Sequence, residues 1–199
     1  MDGMDYTLNK TLDDVTNDLT VIRIKNVKQT GFDLRIQECD YIDGLFTESI
    51  SYSTMEAGWH ELPNSIDFEA RTFETSSKKA MSFQSAFNHP PVLVCGITTE
   101  YELDAVTIRI YNISNNGFDF ELQEQETDKY GHKSIETISY IAWEPYSYIV
   151  HEMYYIVDRI LDDVTDGLYA INFYQELSNS PLFVADIQSR DRNHIAKGR

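Results

Sequence analysis

Residues 88–126, NHPPVLVCGITTEYELDAVTIRIYNISNNGFDFELQEQE, decide how the rest of the chain is read. They hold three runs in which apolar and polar residues alternate, at 92–98, 106–113 and 118–124. Alternation at a period of two sets one row of side chains on a core and the other in water, the mark of a half-buried strand. Two prolines open the first run, and Asn115-Asn116-Gly117 parts the second from the third. That turn chemistry predicts a tight connection between antiparallel neighbours. Pairing Ile108 with Leu122 across it sets Arg109 opposite Glu121. Shared parity then predicts a core of Val94, Ile108, Ile110, Phe118, Phe120 and Leu122, joined by Ile138 and Tyr140.

Copies of this stretch lie on both sides of it. VIRIKNVKQTGFDLRIQE at 21–38 aligns without gaps on TIRIYNISNNGFDFELQE at 107–124, with nine of eighteen positions identical. Residues 173–199 align more thinly on 83–109, held by Phe173, Pro181, Val184, Ile187 and Arg199. A period near 90 residues is too long for a solenoid unit and fits a small β domain. The predicted units are 1–66, carrying later strands of a first repeat; 67–155, a complete central repeat; and 156–199, carrying early strands of a further one. The two outer pieces are complementary, so either the chain is a segment of a longer array or its ends complete each other, within one chain or between neighbours.

Further strands are predicted at 19–26, 32–37, around Ile50 and Tyr52, across the aromatic run 146–161 as one bent strand, and at 168–173 and 182–188. Residues 1–18 read as a polar acidic loop. The run 59–75 has no clean period, and an opening strand of the central repeat is expected somewhere within it. No helix is required, and the predicted fold is all-β: tandem antiparallel β-sandwiches.

The 199 residues suffice for about two domains. At 42% hydrophobic and 13% aromatic, the composition supports a packed core and argues against disorder. Acidic residues number 33 against 16 basic, a net charge of −17 that repels nucleic acid and anionic membranes. No apolar run approaches a membrane span, so no membrane insertion is expected. The start MDGMDYTLNKTLDDVTND has neither the basic nor the apolar region of a signal peptide. Cys39 and Cys95 fall at non-equivalent repeat positions and read as buried small hydrophobes.

The ordered series F-x3-F-x2-PPV, ITT, VTIRIYN, NGF and ISYIAWE resembles the H-type lectin domain, a family of six-stranded antiparallel β-sandwiches. The resemblance is best over 83–144, weaker over 19–56 and thin over 173–199. It implies a carbohydrate-binding module outside the cell or on its surface, with glycans or glycoproteins as partners and self-association. On it, Arg109 and its repeat equivalent Arg23 match the arginine that bonds the sugar. Both sit on the outward parity of their strands, and an arginine offers five fixed donors to hydroxyls. The plainer use of Arg109 is a cross-strand pair with Glu121; Arg23 instead faces Arg35. The sequence departs from the family where snail agglutinins carry a Trp-His pair: here stand Gln125-Glu126 and Cys39-Asp40. Tyr130 and His132, in the loop that follows, are the candidates to contact the sugar in its place.

Carboxylates form the other constellation. Glu124 shares the parity of Phe120, and Glu136 that of Ile138 and Tyr140; both flank one loop, and Glu38 and Glu48 copy them. Acids on core parity demand donors or a counter-charge, because a bare buried carboxylate is costly. With Asp128 they make an oxygen set of the kind that suits calcium, though no cofactor is required. The alternative is loop anchoring through backbone N–H groups. Otherwise no cofactor signature is present, and no GxSxG, Walker A, GxGxxG, CxxC or HExxH motif occurs, so an enzyme is not expected. Two functions follow: a lectin-like recognition or adhesion repeat, or a structural sandwich module that assembles through its terminal strands without binding sugar.

Overall fold

The computed structural model describes residues 20–38, 50, 52, 54–62, 66–101, 106–124, 132–150, 153–160, 170–173 and 177. Eleven strands and no helix occur among them. They are β1 (Thr20–Lys28), β2 (Gly31–Glu38), β3 (Gly58–Leu62), β4 (Ile66–Thr75), β5 (Lys79–Ser82) and β6 (Val92–Ile97). Then follow β7 (Val106–Tyr111), β8 (Gly117–Glu124), β9 (Glu136–Trp143), β10 (Tyr146–Val150) and β11 (Met153–Val157).

Two antiparallel sheets build the centre, one ordered β3-β4-β9-β6 and the other β5-β8-β7. Their facing sides merge into one core. Leu93 and Ile97 of β6, Ile138 and Tyr140 of β9, Ile108 and Ile110 of β7, and Phe118 and Phe120 of β8 are buried together. Rings bridge the layers: Phe73 of β4 lies 4.7 Å from Phe120, and Phe118 meets Tyr140 edge-on at 5.3 Å. Burying such aromatics contributes most of the core's hydrophobic stabilisation.

The expected register of β7 on β8 is present, with Ile108 opposite Leu122 and Arg109 opposite Glu121. The turn between them is held by Ser114, whose backbone and hydroxyl both donate to the Gly117 carbonyl at 2.9 and 3.0 Å. Gly117 is required by β5: a Cβ there would stand 2.1 Å from the Met81 carbonyl oxygen. Asn115 ties the turn to the proline loop, donating to the carbonyls of Phe87 and Asn88.

Several elements differ from expectation. On β6 the core parity belongs to Leu93 and Ile97, not to Val94, because β9 sets Leu93 opposite buried Ala142 and Ile97 opposite buried Ile138. A run apolar on both faces left that parity undetermined in the sequence. Leu122 is half-buried, at the margin of the core. The unperiodic 59–75 run is a hairpin, β3 on β4, and β3 adds a seventh strand to the six expected. Its outer face carries an aromatic stack in which Phe68 touches His60 and Trp143. The single bent strand expected over 146–161 is instead the hairpin β10–β11, in which Tyr146 pairs with Val157. Tyr155 lies against Trp143, 5.4 Å between centroids.

The β1–β2 hairpin forms a sheet of its own. Arg23 faces Arg35, as expected. Cys95 is half-buried rather than buried. Cys39, residues 1–19, and the strand expected at 182–188 lie outside the described residues, so the completion of the ends is not described either.

Candidate buried polar joint

Three glutamates on or just beyond the strands of the larger sheet are buried, and each closes a loop onto it. Glu69 of β4 accepts the Tyr140 hydroxyl at 2.5 Å and the Gln84 amide at 2.7 Å. Burial and that bond to Glu69 push the Tyr140 phenol well above its ordinary value. Glu144, just past β9, accepts the amides of Asn88 and His89 at 2.7 and 3.3 Å, which pins the proline loop. Its nearness to Asp67 adds to the effect of burial in raising the Asp67 carboxyl.

Glu136 opens β9 at the far end of that strand, and its partners come from two elements. Thr99 donates its hydroxyl to one carboxylate oxygen, and the Tyr101 amide donates to the other at 3.2 Å. The Thr99 hydroxyl in turn accepts from the Thr137 amide at 2.7 Å. The counter-charge is Arg23 of β1, with Nη2 3.3 Å from the carboxylate and 3.5 Å from the Thr99 carbonyl oxygen. Both side chains are fully withdrawn from water. His132, itself almost wholly buried, brings Nε2 to 3.9 Å from the same carboxylate oxygen. Around this pair, Glu100 receives Arg35 of β2 and, at 3.3 Å, Lys25 of β1. Burial acts to raise the Glu100 carboxyl, but the hydrogen bonds from Arg35 and Lys25 outweigh it and the net shift is downward.

The arrangement is a joint. The β1–β2 hairpin turns its cationic face to the loop end of the sandwich, and Arg23 and Glu136 meet where water is excluded. Desolvating an ion pair is expensive; Thr99 and Tyr101 complete the carboxylate, while Arg23 Nε and Nη1 are buried without a hydrogen-bond partner among the described residues.

The site residues expected from the sequence are distributed as follows. Glu136 sits on the core parity expected of it, and the donors on both its oxygens make it a loop anchor as well as an ion-pair partner. Arg23 and Arg109 do lie on the parity away from their own hairpin's apolar face, yet both are covered, at 1% and 7% exposed. Arg109 stands opposite Glu121 in the ladder. His132 joins Glu136, whereas Tyr130 and Asp128 lie outside the described residues and Glu124 is described only as the end of β8. Among the described residues no group of three or more His, Cys, Asp or Glu is placed to hold a metal ion. The sequence did not single out Thr99, Glu100, Glu69 or Glu144. Glu69 carried a usable signal, an acid on the parity of Phe73, but only once β4 was assigned.

No protein-family model matches the chain, and no solved structure matches it. A curated protein similar to it is halomucin from Haloquadratum walsbyi, 28% identical over 159 residues. The match covers 76% of this chain and spans about 2% of the length of that relative.

Proposed function

We propose that this chain is a structural β-sandwich module of an acidic surface polymer, non-catalytic, whose repeats are clamped to one another by buried ion pairs. The observation that carries this reading is the Arg23–Glu136 pair, made between one repeat's hairpin and the next repeat's sandwich. A recognition site keeps its cations accessible, whereas a joint buries them. The similarity to a protein named as a mucin agrees with a place outside the cell or on its surface, and the net charge of −17 suits a solvated polymer. Relaxation of backbone amides tests the joint. The β1–β2 hairpin should tumble with the sandwich as one body in the natural chain, and separately from it in the Glu136→Gln variant. Independent tumbling in the natural chain would refute the joint.

The second reading is the glycan-binding repeat that the H-type lectin resemblance implies. In its favour, β4 to β9 make two packed three-stranded antiparallel layers, with β3 added at one edge. Against it, Arg109 is covered and the Trp-His pair is absent. A glycan array probed with the intact chain separates the two. The structural reading expects no saturable binding to neutral or basic glycans; binding lost in Arg109→Ala without a change in Tm would favour the lectin.

A further inference from the structure

The β1–β2 hairpin reproduces the β7–β8 hairpin at positions 86 residues apart. Ile24 pairs with Leu34 and Lys25 with Asp33, as Ile110 pairs with Phe120 and Tyr111 with Asp119. Asn26 and Asn112 both adopt left-handed backbone, at φ 55° and 51°. Each donates its side-chain amide to the equivalent aspartate, Asp33 at 2.6 Å and Asp119 at 2.7 Å. The cross-layer ring pair recurs too: Phe32 meets Tyr52 edge-on at 5.0 Å, as Phe118 meets Tyr140.

The two hairpins are finished differently. Ile108 and Phe120 are buried in the core, while their equivalents Ile22 and Leu34 are 50% and 41% exposed. The β1–β2 hairpin thus turns its charged face to its neighbour and its apolar face to water. Gly117 is pressed by β5, but a Cβ on Gly31 would meet no atom within 4 Å. Among the described residues no strand stands beside this hairpin where β5 and β6 stand for β7–β8.

The chain carries a counterpart of β5 and β6 in its sequence. At an offset of 90, Ala170 falls on Ala80, Ile171 on Met81, Phe173 on Phe83 and Leu177 on Phe87, ahead of Pro181, Val184 and Ile187 on Pro91, Val94 and Ile97. Met81 faces Phe118 in the β5–β8 ladder, and Phe83 and Phe87 are buried. Their equivalents Ile171 and Phe173 are 51% and 43% exposed. One chain therefore displays two apolar surfaces that match the two sides of an interface it has already buried once.

We propose that the segment 170–173 docks on the β1–β2 hairpin of the same chain, pairing antiparallel to β2 in the register of β5 on β8. Ala170 then lies opposite Asp33, Ile171 opposite Phe32 and Asn172 opposite Gly31. Docking removes exposed apolar surface from water and takes up the open edge of β2, and a two-stranded sheet by itself is marginal. The inference stands apart from the module's role, because it requires neither glycan binding nor the Arg23–Glu136 joint.

The test is a cross-strand disulfide. In a chain with Cys39→Ala and Cys95→Ala, the pair Asp33→Cys and Ala170→Cys should oxidise to an intramolecular bridge, since directly opposed antiparallel residues lie within disulfide reach. A disulfide-linked dimer would overturn docking within the chain and place one copy's segment on another's hairpin. No bridge of either kind would overturn the proposal altogether. The full chain with Ile171→Asp gives an independent reading: amides of β1 and β2 should exchange about tenfold faster while those of β7 and β8 are unchanged. Unchanged exchange in β1 and β2 would overturn it as well.

Discussion

Arg23 and Glu136 are the two residues whose loss should be felt most out of proportion to their size. Removing one partner leaves a buried charge without its counter-charge, at a cost of roughly 3–5 kcal/mol. Arg23→Met and Glu136→Leu should each destabilise the chain by about that much in urea titration, whereas the double variant should be less destabilised than either single one. Additive losses would mean that the two do not act as a pair. Around them, Glu100 sets a pH dependence. Its carboxyl is lowered in the folded chain, so the stability it adds is complete above the ordinary carboxylate range. It is lost as the pH falls through the folded value. Hairpin protection measured against pH should show this acid loss, and Glu100→Gln should remove that component. Sequence parity was enough to show that Glu136 needed a counter-charge. It could not name Arg23, because the partner comes from a different repeat 113 positions away, and nothing in a local pattern reports that separation.

At the scale of elements, the parts legible in advance were those where alternation and turn chemistry agreed. The β7–β8 hairpin is of this kind, since Asn115-Asn116-Gly117 marks the turn and the parity of both arms sets the register. β6 is apolar on both faces, so its length could be read but not its orientation. An opening strand is expected within 59–75 and β4 supplies it. Its bounds and β3 escaped because His60, Glu69 and Arg71 interrupt the apolar rows, and Glu69 is buried through hydrogen bonds that composition cannot foresee. β5 was invisible: four residues, only one of them half-buried, carry almost no period. That short strand is nonetheless fixed by one glycine. Gly117→Ala would drive a Cβ into the Met81 carbonyl, and the backbone cannot yield there without breaking the β5–β8 ladder. The expected cost is roughly 1–3 kcal/mol, seen as a lower Tm with faster exchange confined first to β5. A Tm unchanged by this substitution would show that β5 does not hold its place against β8.

Across the whole molecule, the repeat explains both the fold and its asymmetry. One copy of the hairpin is finished as a sandwich, and the other is clamped by its charged side to the first. The net charge of −17 opposes compaction at low ionic strength. Thermal stability should therefore rise as salt is raised from about 10 mM to 150 mM, over which the Debye length falls from about 30 to 8 Å. The buried Arg23–Glu136 pair is screened little, so it should survive that range. A Tm that falls with added salt would show exposed ion pairs dominating instead. Amide exchange read by mass spectrometry tests the proposed Arg23–Glu136 joint most directly. Comparing the natural chain with Glu136→Gln, protection across β1 and β2 should collapse while that of β7 and β8 stays in place. Equal protection of β1 and β2 in both chains, or a uniform loss across all four strands, would contradict the account.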